Sequence, residues 1–574
     1  MPTDLRPAAN SFQADSPNHS QRKGITRLTV DIPSSHTGTP YATMRRPAPR
    51  WRTPEFIFYG FVFAAVVPVM VWIPVRLSQP SHPNYHVYAR KLSPGWLFGR
   101  QVDDSDAQYH SFRGNVPVLA AVVLLFLALK MLYVRLRGLV QADTTSNRLH
   151  PVPFLLGFST IFLLALHGTS VLKLFCLLAV NYSIAKCLGA SKLNPILTWV
   201  FNGIVLFTSE LYSGYHFRSF HEALGSLDGW KGIYPRWYIV FNITMLRLVS
   251  FNMDYYWACT RNVMAQDAEE PLNHKQRTTT AHSLDYYSFA HYLAYAAYPP
   301  LYIGGPIMTF NDFAWQLRKP LSISSREILG YAGRFIICLL TMEFILHYMY
   351  MVAIKDTAAW YGDSVAELSM IGFWNLIIVW LKLLIPWRFF RLWALLDGID
   401  PPENMVRCMA NNYSALGFWR SWHRSYNLWI VRYIYIPLGG TKNLKFTTIL
   451  VFSFVALWHD LSFRLLAWGW LVSLFILPEI AARYLFTEKV YGEKWWYRHV
   501  CAVGGVLEIL MMMTANLVGF VIGTEGVSYL LGRLVSGWEG VQFLLFACFC
   551  LFVAVQVMFE YREEEMRQGI YRRC

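Results

Sequence analysis

The feature that most constrains this chain is a succession of apolar runs, each about as long as a bilayer core is thick. Runs near 56–75, 116–134, 151–168, 171–188, 194–212, 236–252, 330–352, 371–387, 446–483, 500–523 and 540–559 approach the roughly twenty residues that cross the hydrocarbon core as a helix. No barrel-type alternation is visible. Backbone groups in lipid need partners within their own segment, so the runs read as helices. The run 446–483 is too long for one crossing and is interrupted by Trp458-His459-Asp460 and Arg464. It predicts two helices, or one crossing plus a re-entrant piece. The fold class expected is an all-α polytopic membrane protein with about eleven crossings.

Composition agrees. The chain is 55% hydrophobic and 15% charged, whereas soluble domains carry nearer a quarter of charged residues. Aromatic residues make up 16%, with 22 Trp and 33 Tyr, and such rings favour membrane interfaces. The net charge of +15 is spread through short connections and flanks. That pattern speaks for positive-inside bias and anionic headgroups, and against a nucleic-acid partner. The nine cysteines show no metal-ligand spacing, so neither a metal nor a disulfide frame is expected; Cys176, Cys187, Cys338, Cys548 and Cys550 read as reduced packing residues. Cys574 is the last residue and cannot be a prenylation site.

Residues 1–54 are rich in Pro, Ser, Thr, Asn and Arg and read as a disordered tail without a signal peptide. Arg45, Arg46, Arg50 and Arg52 precede the first run, which places that tail in the cytosol. Residues 55–560 form the transmembrane domain, and 561–574 a short charged tail. Three stretches, 76–113, 253–328 and 388–445, are not simple spans. Long segments of this kind are often functional, and at membrane depth protein or a water cavity must cover them.

Within 388–445, the stretch from Phe418 to Gly440 is the most informative. As far as Tyr435 it reads as one helix, with His423 and Asn427 on a shared face four residues apart; Pro437 and Gly439-Gly440 stop it. Arg420, Arg424 and Arg432 are too many charges for a lipid-surrounded span. Thirty-six residues beyond His423, His459 lies in the most apolar part of the chain. Ionisable groups at such depth face the bundle interior and mark a pathway or a site, or else serve as neutral hydrogen-bonded links between helices. Acyl transfer from a thioester to an alcohol needs a base at the hydroxyl and donors at the developing oxyanion, and neutral imidazole suits the first task. Neither a Gly-x-Ser-x-Gly elbow nor a His-Glu-x-x-His zinc motif is present, which favours direct transfer without an acyl-enzyme.

The segment Phe418–Gly440, followed by Leu457-Trp458-His459, resembles the signature of membrane-bound O-acyltransferases. The match takes the Trp-His form at Trp422-His423 and again at Trp458-His459. Gly305-Pro306-Ile307, Asn311-Asp312-Phe313 and the stretch Trp393–Asn404 agree as well, the last resembling the glycerol-uptake-protein branch, which is related to hedgehog acyltransferases. The resemblance covers residues 245–480 best.

It implies a bundle of about eleven helices with re-entrant or interfacial segments and a tunnel through the bilayer. Acyl-CoA serves as co-substrate and no cofactor is needed. His459 would be the base, and His423 would orient the acceptor or stabilise charge. Trp422, Trp458, Asn427, Arg420 and Arg424 would contact substrate. The implied reaction moves a fatty acyl group to a lipid hydroxyl. The branch points to a lyso-glycerolipid in glycosylphosphatidylinositol (GPI) anchor remodelling, in the endoplasmic reticulum membrane.

Two other readings stay open. One is a polyol transporter, although no repeated halves are visible; the other is a non-catalytic lipid-binding relative. Asn427 can equally be structural. Arg388, Arg391, Arg420, Arg424, Arg432, Lys442 and Lys445 can meet coenzyme A phosphates or anchor the interface. Asp397 and Asp400 read as loop-turning residues. Asp460, next to His459, is a poor orienter for it. His167, His291 and His347 read as interior polar residues and His282 as solvated.

Overall fold

A computed structural model describes residues 24–28, 30, 48–140, 151–261 and 272–572. Most of the expected N-terminal tail, and Cys574, lie outside these residues. Most of what is described is helix; a two-residue antiparallel pairing, Ser93–Pro94 with Gln101–Val102, is the strand content among the described residues.

Each apolar run forms a helix. They are α1 (Pro54–Leu77), α2 (Ala107–Val140), α3 (Pro151–His167), α4 (Val171–Leu188), α5 (Leu193–Leu211), α6 (Trp237–Arg261), α7 (Ser325–Tyr348) and α8 (Val365–Leu396). Short helices α9 (Ala415–Ser421) and α10 (Arg424–Ile430) follow, then α11 (Leu444–His459), α12 (Phe463–Leu485), α13 (Tyr497–Asn516), α14 (Gly523–Val535) and α15 (Trp538–Arg567). Eight helical stretches among the described residues are long and apolar enough to cross a membrane, and α3 with α4 counts as one of them. The run 446–483 resolves into α11 and α12, joined through Asp460, Leu461 and Ser462. With 16 residues, α11 is about 24 Å long at 1.5 Å per residue, short of a full crossing.

Local chemistry fixes the ends of these helices. Ser324 with Glu327 and Ser364 with Glu367 form capping boxes at the starts of α7 and α8, each satisfying otherwise orphaned amides. Thr53 caps α1 ahead of Pro54, the position where a missing N–H costs least. The helices differ in burial. In α1 and α2 only 11% of the most apolar window is buried, against 50% in α8. The former therefore face lipid, and α8 is the central post.

The three non-spanning stretches are tied to the bundle through buried charge. Residues 93–102 lie along α7, where Arg113 from α2 pairs with Glu343 at 2.7 Å and Trp96 donates to the same carboxylate at 2.8 Å. In the stretch 272–318, Asp312 accepts from Arg277 at 2.6 Å and from Gln316 at 3.0 Å. Gln316 in turn accepts from the Asp400 amide at 2.8 Å. Asp254 of α6 accepts from Arg432 at 2.7 Å and Tyr433 at 3.0 Å. These links tie α6, the 272–318 stretch and the segment after α8 into one body.

Two expectations need correction here. His282 is not solvated: it is 4% exposed, its Nε2 meets the Asn311 carbonyl at 2.8 Å, and Arg318 approaches Nδ1 at 3.3 Å. Burial lowers its pKa to about 4, so the ring is neutral. A polar neighbourhood in sequence misled because Tyr286 and Tyr287 fold over the ring. The stretch 418–435 is not one helix either, as described below. His167 is interior as expected, bridging the Tyr234 carbonyl (2.8 Å) and the Tyr302 hydroxyl (3.0 Å). Asp397 ends α8 and holds Lys130 and, at 2.6 Å, Tyr298.

At the C-terminal end, α15 continues through Arg567, so the expected charged tail starts as helix. Its Glu565 accepts from Arg407 at 2.6 and 3.2 Å, with the two side chains 1% and 2% exposed. Breaking a buried pair strands the remaining charge at a cost of about 3–5 kcal/mol. Arg407→Met is therefore expected to lower the thermal unfolding temperature of the detergent-solubilised protein substantially. The double replacement Arg407→Met, Glu565→Leu should recover most of the loss.

Candidate active site

The predicted helix over 418–435 breaks where the chemistry was expected. α9 ends at Ser421, Trp422 is extended (φ −84°, ψ 130°), and His423 takes a left-handed conformation (φ 44°, ψ 49°). A non-glycine residue there is uncommon, although His is among the types that tolerate it, and such backbones gather at functional sites. α10 then starts at Arg424 and runs into a π-helical turn, Val431–Tyr435.

Asn404 accounts for the break. Its carbonyl accepts from the Arg424 amide at 3.0 Å and its Oδ1 from the Ser425 amide at 3.1 Å. The first amides of α10 are thus capped from outside, in place of continuation from α9. The Ser425 hydroxyl accepts from the Ile307 amide at 2.8 Å. The Gly305-Pro306-Ile307 stretch therefore supports the same turn.

His423 and Asn427 consequently do not share a helix face as expected. The Asn427 amide donates to the His423 carbonyl at 3.1 Å, and His423 stands ahead of α10 as its cap residue. Its ring stacks on Trp387 of α8 (centroids 4.4 Å apart) and lies 5.1 Å from Tyr426. Trp387 follows Pro386, a residue that cannot donate a helix hydrogen bond.

His459 enters from the other side, as the last residue of α11. Its neighbour Trp458 is pinned to α6 twice: the indole donates to the Asn242 carbonyl at 2.9 Å, and the Asn242 side chain donates to the Trp458 carbonyl at 3.2 Å. Trp458 stacks on Tyr426 with centroids 4.5 Å apart. The Tyr426–Trp458 pair is the common partition between the imidazoles. Tyr426 lies 5.1 Å from the His423 ring and 6.4 Å from His459, and Trp458 lies 6.4 and 4.8 Å from the same two rings. Trp468 of α12 closes the far side of His459 at 6.5 Å.

Close backbone packing allows this crowding. A Cβ on Gly469 would meet the Phe452 carbonyl at 2.9 Å, and one on Gly519 would meet the Trp468 ring at 2.8 Å. Small residues let helices approach in lipid. Here they bring α11 against α12 and leave room for the indole.

The two imidazoles differ from four other histidines of the interior, though not from His274, whose buried Nε2 lies 3.6 Å from Asp312 without a hydrogen bond. His167, His282, His291 and His347 each engage a ring nitrogen with a protein atom. Among the described residues, His423 and His459 have no such side-chain partner. As whole residues His423 is half-buried and His459 exposed. Neutral imidazole with free nitrogens can accept a proton at one atom and donate at the other.

The remaining predicted contacts divide. Trp422 is half-buried and stacks on Phe418 (5.2 Å), while Trp458 lines the site itself. Arg420 is exposed on α9 and Arg424 half-buried at the start of α10. Arg391 is held by Asp400 (2.6 Å), Arg432 by Asp254 (2.7 Å), and Arg388 reaches Cys338 Sγ at 3.0 Å. Those three serve the fold. Lys442 is exposed. Sequence reading missed Trp387, Tyr426, Trp468, Asn242 and Asn404. Asn404 and Tyr426 carried a signal, the first as the end of the Trp393–Asn404 stretch and the second as a member of Phe418–Gly440.

Comparison with known proteins adds to the geometry. The profile of "MBOAT, membrane-bound O-acyltransferase family" matches residues 214–524. The chain is 47% identical over 536 residues to "Membrane-bound O-acyltransferase GUP1" of Saccharomyces cerevisiae, covering 91% of this chain and 94% of that protein. It is 46% identical over 563 residues to the Candida tropicalis protein of the same name, covering 96% and 94%. "Protein-cysteine N-palmitoyltransferase HHAT" of Mus musculus is 30% identical over 216 residues, 36% of this chain and 43% of its own.

If Asn404 holds the turn, Asn404→Ala removes one hydrogen bond, worth about 1–1.5 kcal/mol. Hydrogen exchange at the Ser425 amide should then quicken about tenfold. The Leu416 amide, which is held by Glu479 (3.0 Å), should not change.

Proposed function

Because this chain belongs to the membrane-bound O-acyltransferase family, we propose that it joins an acyl group from acyl-CoA to the hydroxyl of a lyso-glycerolipid at the His423–His459 site. Family membership makes it a multi-pass membrane acyltransferase. The observation that carries the finer reading is the pair of imidazoles with unengaged nitrogens on either side of Tyr426–Trp458.

In this mechanism neutral His459 accepts the proton of the acceptor hydroxyl as its oxygen attacks the thioester carbonyl. The C–O bond forms and the carbonyl electrons move to oxygen. A ring N–H of neutral His423 donates to that oxyanion, a form of stabilisation most effective in a dry site. Collapse breaks the C–S bond, and His459 returns its proton to the departing thiolate. The products are an ester and free coenzyme A. No acyl-enzyme forms and no metal or cofactor takes part.

Trp387 and Tyr426 hold the rings in register, Trp422 and Trp458 line the substrate path, and Asn427 with Arg420 and Arg424 supplies polar contacts beside it. The acceptor is a lyso-lipid of the GPI-anchor remodelling route, and the site of action is the endoplasmic reticulum membrane. Support for these finer points is the resemblance of the Trp393–Asn404 stretch to the glycerol-uptake-protein branch.

Purified His459→Ala should fold and insert normally yet lose about 10²–10⁴-fold in transfer from acyl-CoA. Wild-type rates in that variant would remove the mechanism. In cells lacking the gene, lipid mass spectrometry should find the lyso-form of the anchor lipid accumulating. Accumulation of a different lyso-lipid would reassign the acceptor.

A further inference from the structure

Arg464 interrupts the longest apolar run of the chain, and the mechanism above leaves it without a task. It is the second residue of α12, and α11 ends at His459 just before it. A basic side chain at the start of a span stands at the level of lipid headgroups.

Its position is fixed from one side. The Nε–H donates to the Val518 carbonyl at 3.0 Å, within the π-helical turn Leu517–Val521 that follows α13. Such turns are frequent at functional sites. The same turn packs on Trp468: Phe520 meets its ring edge-on with centroids 5.0 Å apart, and a Cβ on Gly519 would touch that ring at 2.8 Å. Arg464 and Trp468 are four residues apart on α12, so they share a face with about 5–6 Å between their Cβ atoms. Trp468 in turn lies 6.5 Å from the His459 ring. The guanidinium therefore stands on the His459 side of α12, one helical turn nearer the membrane surface than Trp468.

What remains of this guanidinium is uncommitted. One of its N–H donors is spent on Val518, and the outer nitrogens make no hydrogen bond or ion pair among the described residues. Asp460, the acid nearest in sequence, is exposed and unpaired with it. Arg391, Arg407 and Arg432 show the contrast, each held by a carboxylate of the fold. A guanidinium tethered at Nε and open at its outer edge is a fork suited to a phosphate, which accepts two parallel N–H bonds.

We propose that Arg464 binds the phosphate of an anionic lyso-glycerophospholipid and so sets the lipid's free hydroxyl beside His459. In a lipid whose middle glycerol carbon bears the hydroxyl, the neighbouring carbon carries the phosphate ester. A phosphate held at Arg464 thus keeps the hydroxyl close to the base, whereas an uncharged monoacylglycerol offers the fork nothing. Coenzyme A carries phosphates of the same chemistry. The acceptor is favoured because Arg464 stands at the start of a span, the level at which a membrane lipid's own phosphate lies. This assignment rests on the lyso-glycerolipid reading above.

Equilibrium binding of lysophosphatidylinositol and of 1-monoacylglycerol to the purified full-length His459→Ala protein, in non-ionic detergent, reads the headgroup contribution without turnover. The anionic lipid should bind about tenfold tighter. Adding Arg464→Gln, which keeps a donor for the Val518 carbonyl, should erase that ratio, and Arg464→Lys, a charge without a fork, should retain part of it. A ratio that survives Arg464→Gln would overturn the phosphate site, as would equal affinity for the two lipids before that change. Steady-state rates with His459 intact separate the two sources of phosphate. The rise in KM caused by Arg464→Gln should fall on lysophosphatidylinositol; a rise confined to acyl-CoA would give the fork to coenzyme A and overturn the acceptor contact. Arg464-dependent binding in a protein whose wild type acylates no lyso-glycerolipid would uphold the phosphate site while removing the acceptor reading.

Discussion

The left-handed backbone at His423 is the constraint on which the site depends. A helix running unbroken through 418–435 would point the His423 ring elsewhere and leave it no stack on Trp387. The break leaves amides that lipid cannot satisfy. Asn404 takes two of them, and the Ser425 hydroxyl ties the same turn to Ile307. Irregular backbone at this depth is thus covered by protein on every side the bonds require.

Around that turn, polar groups sort by whether the fold has used them. Asp254, Asp312, Asp397 and Asp400 each hold a basic side chain. Buried pairs of this kind add little net stability, but they fix which segment lies against which. They clamp the 272–318 stretch and the segment after α8 to the spans. What the fold leaves uncommitted at the centre is a pair of imidazoles between aromatic faces. Aromatic packing sets their positions, so ring orientation is decided by side chains that cannot compete for the proton.

Much of this was legible in the amino-acid order. Apolar runs locate the helices because lipid demands length and hydrophobicity before anything else, and even the division of 446–483 at Trp458-His459-Asp460 follows from its polar interruption. The pairing of His423 with His459 was readable from two Trp-His dipeptides. The break between them was not. Residues 418–435 have good helical periodicity, and the cap that ends it comes from Asn404, which local pattern cannot weigh. His282 misled for the same reason: neighbours in sequence are polar, whereas neighbours in space are Tyr286, Tyr287 and Asn311. Trp387 and Trp468 were invisible among 22 tryptophans, because spacing cannot separate an interfacial ring from one that frames a site.

The Arg407–Glu565 pair has a reach beyond its own neighbourhood. Arg407 sits three residues after Asn404 in the same connecting segment. The last helix of the chain is therefore a strut braced against the loop that shapes the His423 turn. Cargo fused to the final residues, or a protease trimming them, would tug on that strut.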